Sequence, residues 1–378
     1  MAETPLGEST PLTPPLYQSS VYTLPDLDAL DRITDAQEPG FIYARDGHPN
    51  AKDVADRLSA LEGASWTVVG GSGMATISAM LLSLVEPGDR IVASNRLYGR
   101  TTQLLGQELS RFGLQPVFVD TADLDEVGEA LAKPAKILLV ETLSNPLLRV
   151  ADLKALSELA SENECLLAVD NTFATPILCR PLEQGADFVI ESLTKMISGH
   201  SDVTLGAVCG NGEEFAQINQ VVSIWGFAAN PFDCWLAGRG MATLALRMRA
   251  ASTNALALAE WLTEQRGVKR VIYPGQEDHP DHELASTLFE GSFGNMLCFE
   301  LEGGRGGANY FLRRASGIPF SPSLGNVTTT CSHPGSTSHR YVSPAEKKRQ
   351  GISDGLIRLS VGIEDLEIIQ EAIEEGLG

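Results

Sequence analysis

The sequence predicts an α/β protein with a mostly parallel sheet, preceded by an extended arm and followed by a smaller α+β domain. Residues 66–190 alternate short apolar strands with amphipathic helices, the pattern of parallel strands joined by right-handed crossovers. Residues 1–50 show neither helical nor strand periodicity. At 234–264 the alternation of strands and helices gives way to a long Ala/Leu/Arg-rich stretch. We therefore predict an arm at 1–50, a large domain at 51–235 and a C-terminal domain at 236–378.

Composition and charge limit the classes of partner and the cellular compartment that the sequence is compatible with. A formal net charge of −21 over 378 residues argues against nucleic acid or an anionic membrane surface as the main partner. No apolar run approaches the roughly 20 residues needed to span a bilayer, and the N-terminus lacks the pattern of a secretion signal. The six cysteines show neither a C-x-x-C pair nor zinc-like spacing. We predict reduced, buried thiols, no metal site and a cytoplasmic protein.

The arm contains several prolines and a polar, aromatic segment at 17–22, so it cannot bury a core of its own. We expect it to pack on another body, such as a second subunit. Arg45, near the end of the arm, is of the residue type that binds phosphate with a permanent charge. The alternative for an isolated arginine is a surface salt bridge.

A glycine-rich turn follows the first predicted helix and strand. Apolar residues at helical spacing predict a helix from Ala51 that stops at Gly63. A strand at 66–69, the turn at 70–76 and an apolar helix at 77–84 then place free backbone N–H groups at a helix start, which is an anion site. A tight turn without a ligand is the alternative. The turn fits neither G-x-G-x-x-G nor the P-loop, which opposes a nucleotide-binding dehydrogenase.

Strands and helices alternate beyond this turn. The predicted strands are 89–93, 116–119, 136–140, 165–169 and 188–190, and the predicted helices are 101–112, 124–131 and 153–160. Tyr98 and Asn145 fall just after two of these strands, where open α/β sheets place their ligands.

Two strand ends carry complementary chemistry. The strand at 188–190 leads to Lys195, and the strand at 165–169 ends in Asp170. A nucleophilic amine and a carboxylate that must stay ionised suit a Schiff-base lysine and the pyridinium nitrogen of pyridoxal phosphate (PLP). A structural Lys–Asp pair is the alternative.

The C-terminal domain opens with a bridging helix predicted over 234–264 and kinked at Gly238 and Gly240. Its other predicted elements are strands at 296–301 and 357–361 and a helix at 309–315. Arg358 lies inside the second of these strands, where a charged residue is seldom buried without a partner. The partner is either a ligand carboxylate held bidentately or an internal Asp or Glu.

Taken together, these signals resemble the cysteine and methionine metabolism group of fold-type I PLP enzymes. That group contains cystathionine γ-synthases, cystathionine γ- and β-lyases, methionine γ-lyases and homoserine-ester sulfhydrylases. The matching segments are 15–20, 43–45, 71–75, 97–99, 141–142 with 145–146, 169–173, 192–195 with 198–200, 323–325 and 358–364. Nine segments in the same order make the resemblance specific over nearly the whole chain.

The resemblance implies PLP as the cofactor and a seven-stranded sheet in the large, PLP-binding domain. It also implies elimination or replacement at Cγ or Cβ of a sulfur-containing or O-acyl amino acid in transsulfuration. Lys195 would hold the cofactor covalently and move protons between substrate carbons, Asp170 would keep the ring nitrogen protonated, and Tyr98 would stack on the ring.

The resemblance further assigns residues to the phosphate and to the substrate. The implied phosphate ligands are Gly73, Met74, Ser192, Thr194, Tyr43 and Arg45, the last two from a neighbouring subunit. The implied substrate ligands are Arg358, Ser323, Asn145 and Tyr43. A site shared between subunits implies an active dimer, and the resemblance implies two such dimers in a homotetramer that acts on a small amino acid.

Three departures from the group bear on the substrate. In members of the group that make or cleave cystathionine at Cγ, the residue before Ser-Leu-Gly is often glutamate. Here it is Pro322, which offers no charge to a distal ammonium group of the substrate. Thr328 stands where an acidic residue is often found after Ser-Leu-Gly. Methionine γ-lyases typically place a cysteine after Tyr-Gly, where this chain has Arg100, which either favours a distal anion or points to solvent. We predict that a homoserine ester or homocysteine is preferred to cystathionine. Cystathionine β-lyase-type elimination and a non-catalytic protein of the same fold are the alternatives.

Overall fold

The computed structural model describes residues 9–378, so the first eight residues of the predicted arm lie outside the described part. A seven-stranded sheet forms the centre of the large domain. Its strands are β1 (Trp66–Gly70), β2 (Arg90–Ser94), β3 (Gln115–Val119), β4 (Ile137–Glu141), β5 (Leu166–Asp170), β6 (Phe188–Glu191) and β7 (Gly206–Gly210). Their spatial order is β1-β7-β6-β5-β4-β2-β3. Strands β2 to β6 pair in parallel, and β7 runs antiparallel to both of its neighbours. The mostly parallel seven-stranded sheet is confirmed.

Helices cover this sheet and connect its strands. In chain order they are α1 (Leu27–Thr34), α2 (Pro49–Glu62), α3 (Gly73–Leu84), α4 (Gly99–Gln103), α5 (Leu124–Leu131), α6 (Leu153–Glu162), α7 (Thr175–Leu178), α8 (Phe215–Ile224), α9 (Pro231–Met241) and α10 (Leu244–Thr263). Pro49 at the first position and a cap from the His48 side chain to the Ala51 N–H start α2. Gly63, with φ of 70°, ends it as the sequence predicts.

Several elements differ from the sequence-based expectation in this part. Helix α1 lies in the arm, where no helical periodicity was found in the sequence, and the short helix α7 was not predicted. The helix predicted over 101–112 is α4 followed by a π-helical turn, Leu104–Glu108, and a 3₁₀ turn, Leu109–Phe112. The helix α8 was not predicted. Strand β7 was also missed, because glycines at both ends weaken a strand pattern. Gly206 is required there because a Cβ would collide with the backbone of Ser72 and Gly73.

The prediction of one bridging helix kinked at its glycines is wrong. Two helices, α9 and α10, are separated at Ala242 and Thr243. Gly238 and Gly240 lie inside α9, where the missing Cβ of Gly240 admits the backbone of Ser198. Gly240 therefore serves close packing next to the Lys195 loop, and Gly238 faces side chains of α2.

The C-terminal part contains a four-stranded antiparallel sheet. Its strands are β8 (Val268–Ile272), β9 (Met296–Leu301), β10 (Thr330–Ser332) and β11 (Leu356–Ser360), in the order β10-β11-β9-β8. Its helices are α11 (His282–Leu288), α12 (Gly304–Arg314), α13 (Pro344–Gln350) and α14 (Leu366–Leu377). The α+β character is confirmed, whereas the domain limits near residues 50 and 235 stay predictions.

The described part of the arm forms hydrogen bonds to α2 and α9 of its own chain, and it leaves apolar side chains exposed. The Tyr17 N–H donates to Asn50 Oδ1 at 2.8 Å, and the Trp235 indole N–H donates to the Pro14 carbonyl at 2.9 Å. Leu12 and Val21 are exposed.

The six cysteines are buried, which confirms the prediction of buried thiols. Within residues 9–378, none of the helices has the length and apolar character that crossing a membrane requires.

Candidate active site

A cavity of about 1160 Å³ opens at the carboxyl ends of β4, β5 and β6. Ten of the residues predicted for the site line this cavity. They are Gly73, Met74, Tyr98, Asn145, Asp170, Ser192, Thr194, Lys195, Ser323 and Arg358. They come from strand ends of the large sheet, from the start of α3 and from the C-terminal part. The position is the one where open α/β sheets bind ligands.

Lys195 enters the cavity from the loop that follows β6. Its Nζ donates to Ser323 Oγ at 3.0 Å, across 128 positions of sequence. Burial lowers the pKa of Lys195, and the charge of Arg358 lowers it further. A larger share of the amine is therefore neutral near neutral pH than for an exposed lysine, which suits a nucleophile and proton acceptor.

Asp170 ends β5 and faces the same cavity. Its Oδ1 accepts a hydrogen bond from the Thr172 N–H at 3.1 Å. Burial raises the pKa of Asp170, and the Thr172 hydrogen bonds oppose this only in part. Within residues 9–378, no lysine or arginine forms an ion pair with Asp170. A buried carboxylate without a cation suits a ligand that brings a positive charge, and the structural Lys–Asp pair is not formed.

Glu141 is a site residue that the sequence analysis did not assign. It ends β4 directly beside Asp170 in the parallel ladder. Its Oε1 accepts from the Tyr98 N–H and its Oε2 from the Asn145 N–H. Burial raises its pKa well above the usual range, and the neighbouring Asp170 adds to this effect. Glu141 therefore fixes the backbone of two predicted site residues, and its place at a strand end beside Asp170 was the available signal.

Arg358 lies buried on β11 at 3% exposure. Its Nη1 donates to Asn145 Oδ1 at 2.8 Å, and its guanidinium lies 5.9 Å from the centroid of the Phe173 ring. Burial lowers the pKa of Arg358. In the described chain, no Asp or Glu forms an ion pair with it. Its partner is a neutral amide, so further N–H donors remain for a ligand carboxylate.

The turn before α3 forms a narrow cradle in the wall of the cavity. Ser72 caps α3 by accepting the Ala75 N–H at 3.0 Å, and the helix begins at Gly73. A Cβ on Gly73 would lie only 3.1 Å from Ser192 Cβ, so any side chain there would fill the cradle. The first N–H groups of a helix and the Ser192 hydroxyl suit an anion.

Thr194 differs from the other predicted phosphate ligands. Its side chain lines the cavity, but its hydroxyl donates to the Leu205 carbonyl and accepts from the Leu205 N–H, both at 3.1 Å. A phosphate oxygen would therefore compete with the Leu205 carbonyl for the hydroxyl proton. The role of Thr194 as a phosphate ligand stays a prediction.

The residues that line the cavity have the chemistry that PLP requires. The cradle offers uncharged donors to a phosphate, Asp170 faces the cavity without a cation, and Lys195 lines the same cavity. Tyr98 forms part of the cavity wall and is 37% exposed, so one face of its ring is open to a stacking partner.

Tyr43 and Arg45 do not line this cavity in their own chain. The Arg45 guanidinium lies 5.0 Å from the centroid of the Tyr43 ring, and Tyr43 is 40% exposed. The surface salt bridge that was the alternative for Arg45 is not formed within the described residues. Their predicted role in a neighbouring subunit's site stays a prediction.

The distal end of the cavity brings together Arg100, Pro322 and a segment at 337–350 that the sequence analysis did not assign to the site. Arg100 Nη1 donates to Gln103 Oε1 at 2.7 Å, and its guanidinium lies 4.8 Å from the centroid of the Tyr341 ring. Arg100 therefore borders the cavity.

Comparison with known proteins identifies the family. The family model for the Cys/Met metabolism PLP-dependent enzyme matches residues 3–378. The O-succinylhomoserine sulfhydrylase of Pseudomonas aeruginosa is 41% identical over 351 residues, covering 93% of this chain and 86% of that protein. An L-methionine γ-lyase of Fusobacterium nucleatum is 39% identical over 369 residues, covering 97% and 93%.

The solved structures agree with this assignment. The crystal structure of cystathionine γ-synthase from Xanthomonas oryzae in complex with cystathionine superposes with a TM-score of 0.92 at 36% identity, covering 97% of this chain and 92% of that one. The match spans both sheets and the cavity between their loops. The chain belongs to the Cys/Met metabolism PLP-dependent enzyme family, and its cofactor is PLP.

Proposed function

We propose that this chain is a PLP-dependent enzyme that eliminates or replaces the group at Cγ of a homoserine ester with an anionic acyl group, such as O-succinylhomoserine. The observation that carries the choice of substrate is Arg100. It borders the distal cavity with an amide and an aromatic ring as its contacts, and in the described part of the chain no acidic residue forms an ion pair with it. A guanidinium in this state suits a carboxylate on the leaving group.

The residues on the other side of the cavity hold the constant part of the substrate. Arg358, fixed by Asn145, binds the α-carboxylate, and this places Cα near Lys195. When bound, PLP withdraws electrons from the substrate and so acidifies the protons next to its amino group. Lys195 Nζ would accept the proton from Cα and pass it on to the electron-withdrawing system that PLP supplies, which leaves the amine neutral again. It would then accept a proton from Cβ and return it there after the acyl group has left Cγ as a carboxylate and a thiol or sulfide has added in its place.

Lys195 performs these transfers because of its surroundings. Ser323 Oγ accepts a hydrogen bond from Nζ and directs the amine, while burial and Arg358 keep its pKa below the usual value. Pro322 provides no charge for the second ammonium of cystathionine. The same site therefore favours the ester over cystathionine, which would leave a charge without a partner.

A steady-state comparison of O-succinylhomoserine, O-acetylhomoserine, cystathionine, methionine, homocysteine and cysteine tests the proposed function. We expect kcat/KM for the succinyl ester to exceed that for cystathionine by roughly 10²-fold, because an unmet charge costs a few kcal/mol. Keto acid and thiol are measured separately, since 2-oxobutyrate reports γ-elimination and pyruvate reports β-elimination of cystathionine. A clear preference for cystathionine over every other compound would contradict the proposal.

Replacement of Arg100 by glutamine tests the distal contact. We expect kcat/KM to fall by about 10- to 100-fold for O-succinylhomoserine, the effect of one lost charged hydrogen bond, and to change little for O-acetylhomoserine. Arg111→Gln serves as the matched control, because Arg111 is exposed and pairs with Glu108 away from the cavity. Equal losses for the two esters would show that Arg100 does not bind the acyl carboxylate.

We also propose that the active unit is a dimer and that two dimers form a tetramer in the cytoplasm. Tyr43 and Arg45 do not line the cavity of their own chain, and apolar side chains such as Ile224 and Trp225 are 72% and 52% exposed. Such surfaces are typical of subunit contacts. The buried thiols support a reducing compartment.

Mixed subunits test the shared site. Arg45→Ala and Lys195→Ala proteins are each expected to show little activity, because each lesion disables every site of its own homo-oligomer. In a mixed dimer both lesions fall in one site and the other site is intact, so full exchange should restore about a quarter of wild-type specific activity. Exchange is verified with tagged subunits. No gain of activity after verified exchange would exclude a site completed by Arg45 of a neighbour.

A further inference from the structure

A second polar row lies behind the strand ends that face the cavity. Successive side chains of a strand point to opposite faces, so Thr142 and Asn171 point away from the face of Glu141 and Asp170. Thr142 Oγ1 donates to Asn171 Oδ1 at 2.8 Å, and Asn171 Nδ2 donates to Glu191 Oε1 at 3.1 Å. The row therefore crosses the ends of β4, β5 and β6 on the side opposite to the cavity.

Glu62 closes this row. It is the last residue of α2 and, like Glu191, it is fully buried at 0% exposure. The two carboxyl groups are close enough for each to affect the other's protonation. Both oxygens of Glu62 and Oε2 of Glu191 lack a hydrogen-bond partner in the described chain. Two ionised carboxylates cannot remain this close inside a protein without a cation, so a proton must lie between them.

The other charged and titratable groups around the pair do not supply that cation. Arg180, the cation whose charge acts on Glu62, forms an exposed ion pair with Glu183 at 3.1 Å. The remaining neighbours are the buried thiols of Cys179 and Cys209 and the carboxyl group of Asp170, which add no positive charge. The carboxyl end of α2, where Glu62 lies, carries the negative end of the helix dipole and also disfavours ionisation.

We propose that Glu62 and Glu191 share one proton in the working enzyme and that their hydrogen bond fixes the end of β6, from which Ser192 and Lys195 enter the cavity. Glu191 is the last residue of β6, and Ser192 follows it immediately. Any shift of the Glu191 side chain is therefore transmitted through one peptide unit to the cradle and, three residues further on, to Lys195. Both glutamates are positioning residues. The inference holds for whichever amino acid the enzyme uses.

The pair gives the fold a defined dependence on pH. Burial raises the pKa of Glu62 to about 7 and raises that of Glu191 well above the usual range. Between the usual carboxyl pKa and about 7, the folded chain holds more protons than the unfolded chain, so stability falls as pH rises through this window. Near neutral pH one proton remains, and it belongs to the pair as a unit.

Three amide variants of the full-length holoenzyme test the shared proton: Glu62→Gln, Glu191→Gln and the double variant. Thermal unfolding is followed from about pH 5 to about pH 9, and the protonated carboxyl group is followed by infrared difference spectroscopy. We expect the double variant to lose most of the fall in stability with rising pH and to lose a carboxylic acid C=O band. Glu183→Gln, an exposed carboxylate beside the pair, should keep both.

Cofactor retention tests the positioning role. Glu62→Ala removes the hydrogen bond and should release PLP faster on dialysis, whereas Glu62→Gln, whose amide donates permanently to Glu191, should restore retention. If Glu62→Ala fails to fold, the Gln variants still test the shared proton. An unchanged pH slope and an unchanged infrared band in the double variant would overturn the shared proton, and equal PLP loss in the Ala and Gln variants would overturn the positioning role.

Discussion

Replacement of Lys195 by alanine should lower kcat by roughly 10⁴-fold or more, because it removes the one lysine that lines the cavity among residues 9–378 and with it the group proposed to move the substrate protons. The cradle formed by Gly73 and Ser192 remains, so the variant should still bind PLP, reversibly and more weakly. Turnover is measured by keto acid release, and bound PLP is measured by its absorbance after gel filtration.

Two comparisons make this result specific to Lys195. Lys154→Ala changes an exposed lysine of α6 and should leave turnover and cofactor binding unaltered. Loss of bound PLP together with loss of the folded state would point to a structural role for Lys195. Normal turnover in the Lys195→Ala protein would refute its assignment as the catalytic amine.

Replacement of Asp170 by asparagine should lower kcat/KM by roughly 10²- to 10⁴-fold, the range for a group that holds a proton at a reacting system. Asparagine cannot hold a proton on the ring nitrogen, so the withdrawal of electrons that Lys195 depends on is weakened. PLP should still bind through the cradle. The Asp125→Asn change, on the exposed first turn of α5, is the matched control.

The same substitution should stabilise the protein when it lacks PLP. Burial raises the pKa of Asp170 above its usual value, so the folded chain without cofactor holds the proton more tightly than the unfolded chain. Stability then falls as pH rises above the usual aspartate pKa, and Asp170→Asn removes this fall. Thermal unfolding without PLP at neutral pH measures the gain. A variant that is both active and less stable would contradict the assigned role.

Much of the site follows from local sequence. Apolar runs define where β5 and β6 end, and a strand end fixes which side chain faces the cavity, so Asp170 and Lys195 were predictable without any long-range contact. The same holds for the turn at Gly73, whose neighbours in sequence form the strand and helix that shape it. Thr194 shows the limit, since its hydroxyl bonds to Leu205.

Other features depend on contacts between distant parts of the chain and leave no local pattern. The hydrogen bond between Arg358 and Asn145 joins residues 213 positions apart, so the sequence alone left an internal acid as an equal candidate. Glu62 ends a helix and Glu191 ends a strand, and only the packing of α2 against the sheet brings them together. Gly240 was interpreted as a kink because its contact with Ser198 is likewise distant.

The hydrogen bonds from Lys195 to Ser323 and from Arg358 to Asn145 have a consequence for how such enzymes diversify. Both join the part of the chain around the seven-stranded sheet, which carries Lys195 and Asn145, to the C-terminal part, which carries Ser323 and Arg358. Arg100 lies on α4, in the first of these two parts. Recombination downstream of α10 would therefore exchange the proposed carboxylate contact while keeping Lys195 and Arg100. Point changes around α4 would be the route to a different leaving group.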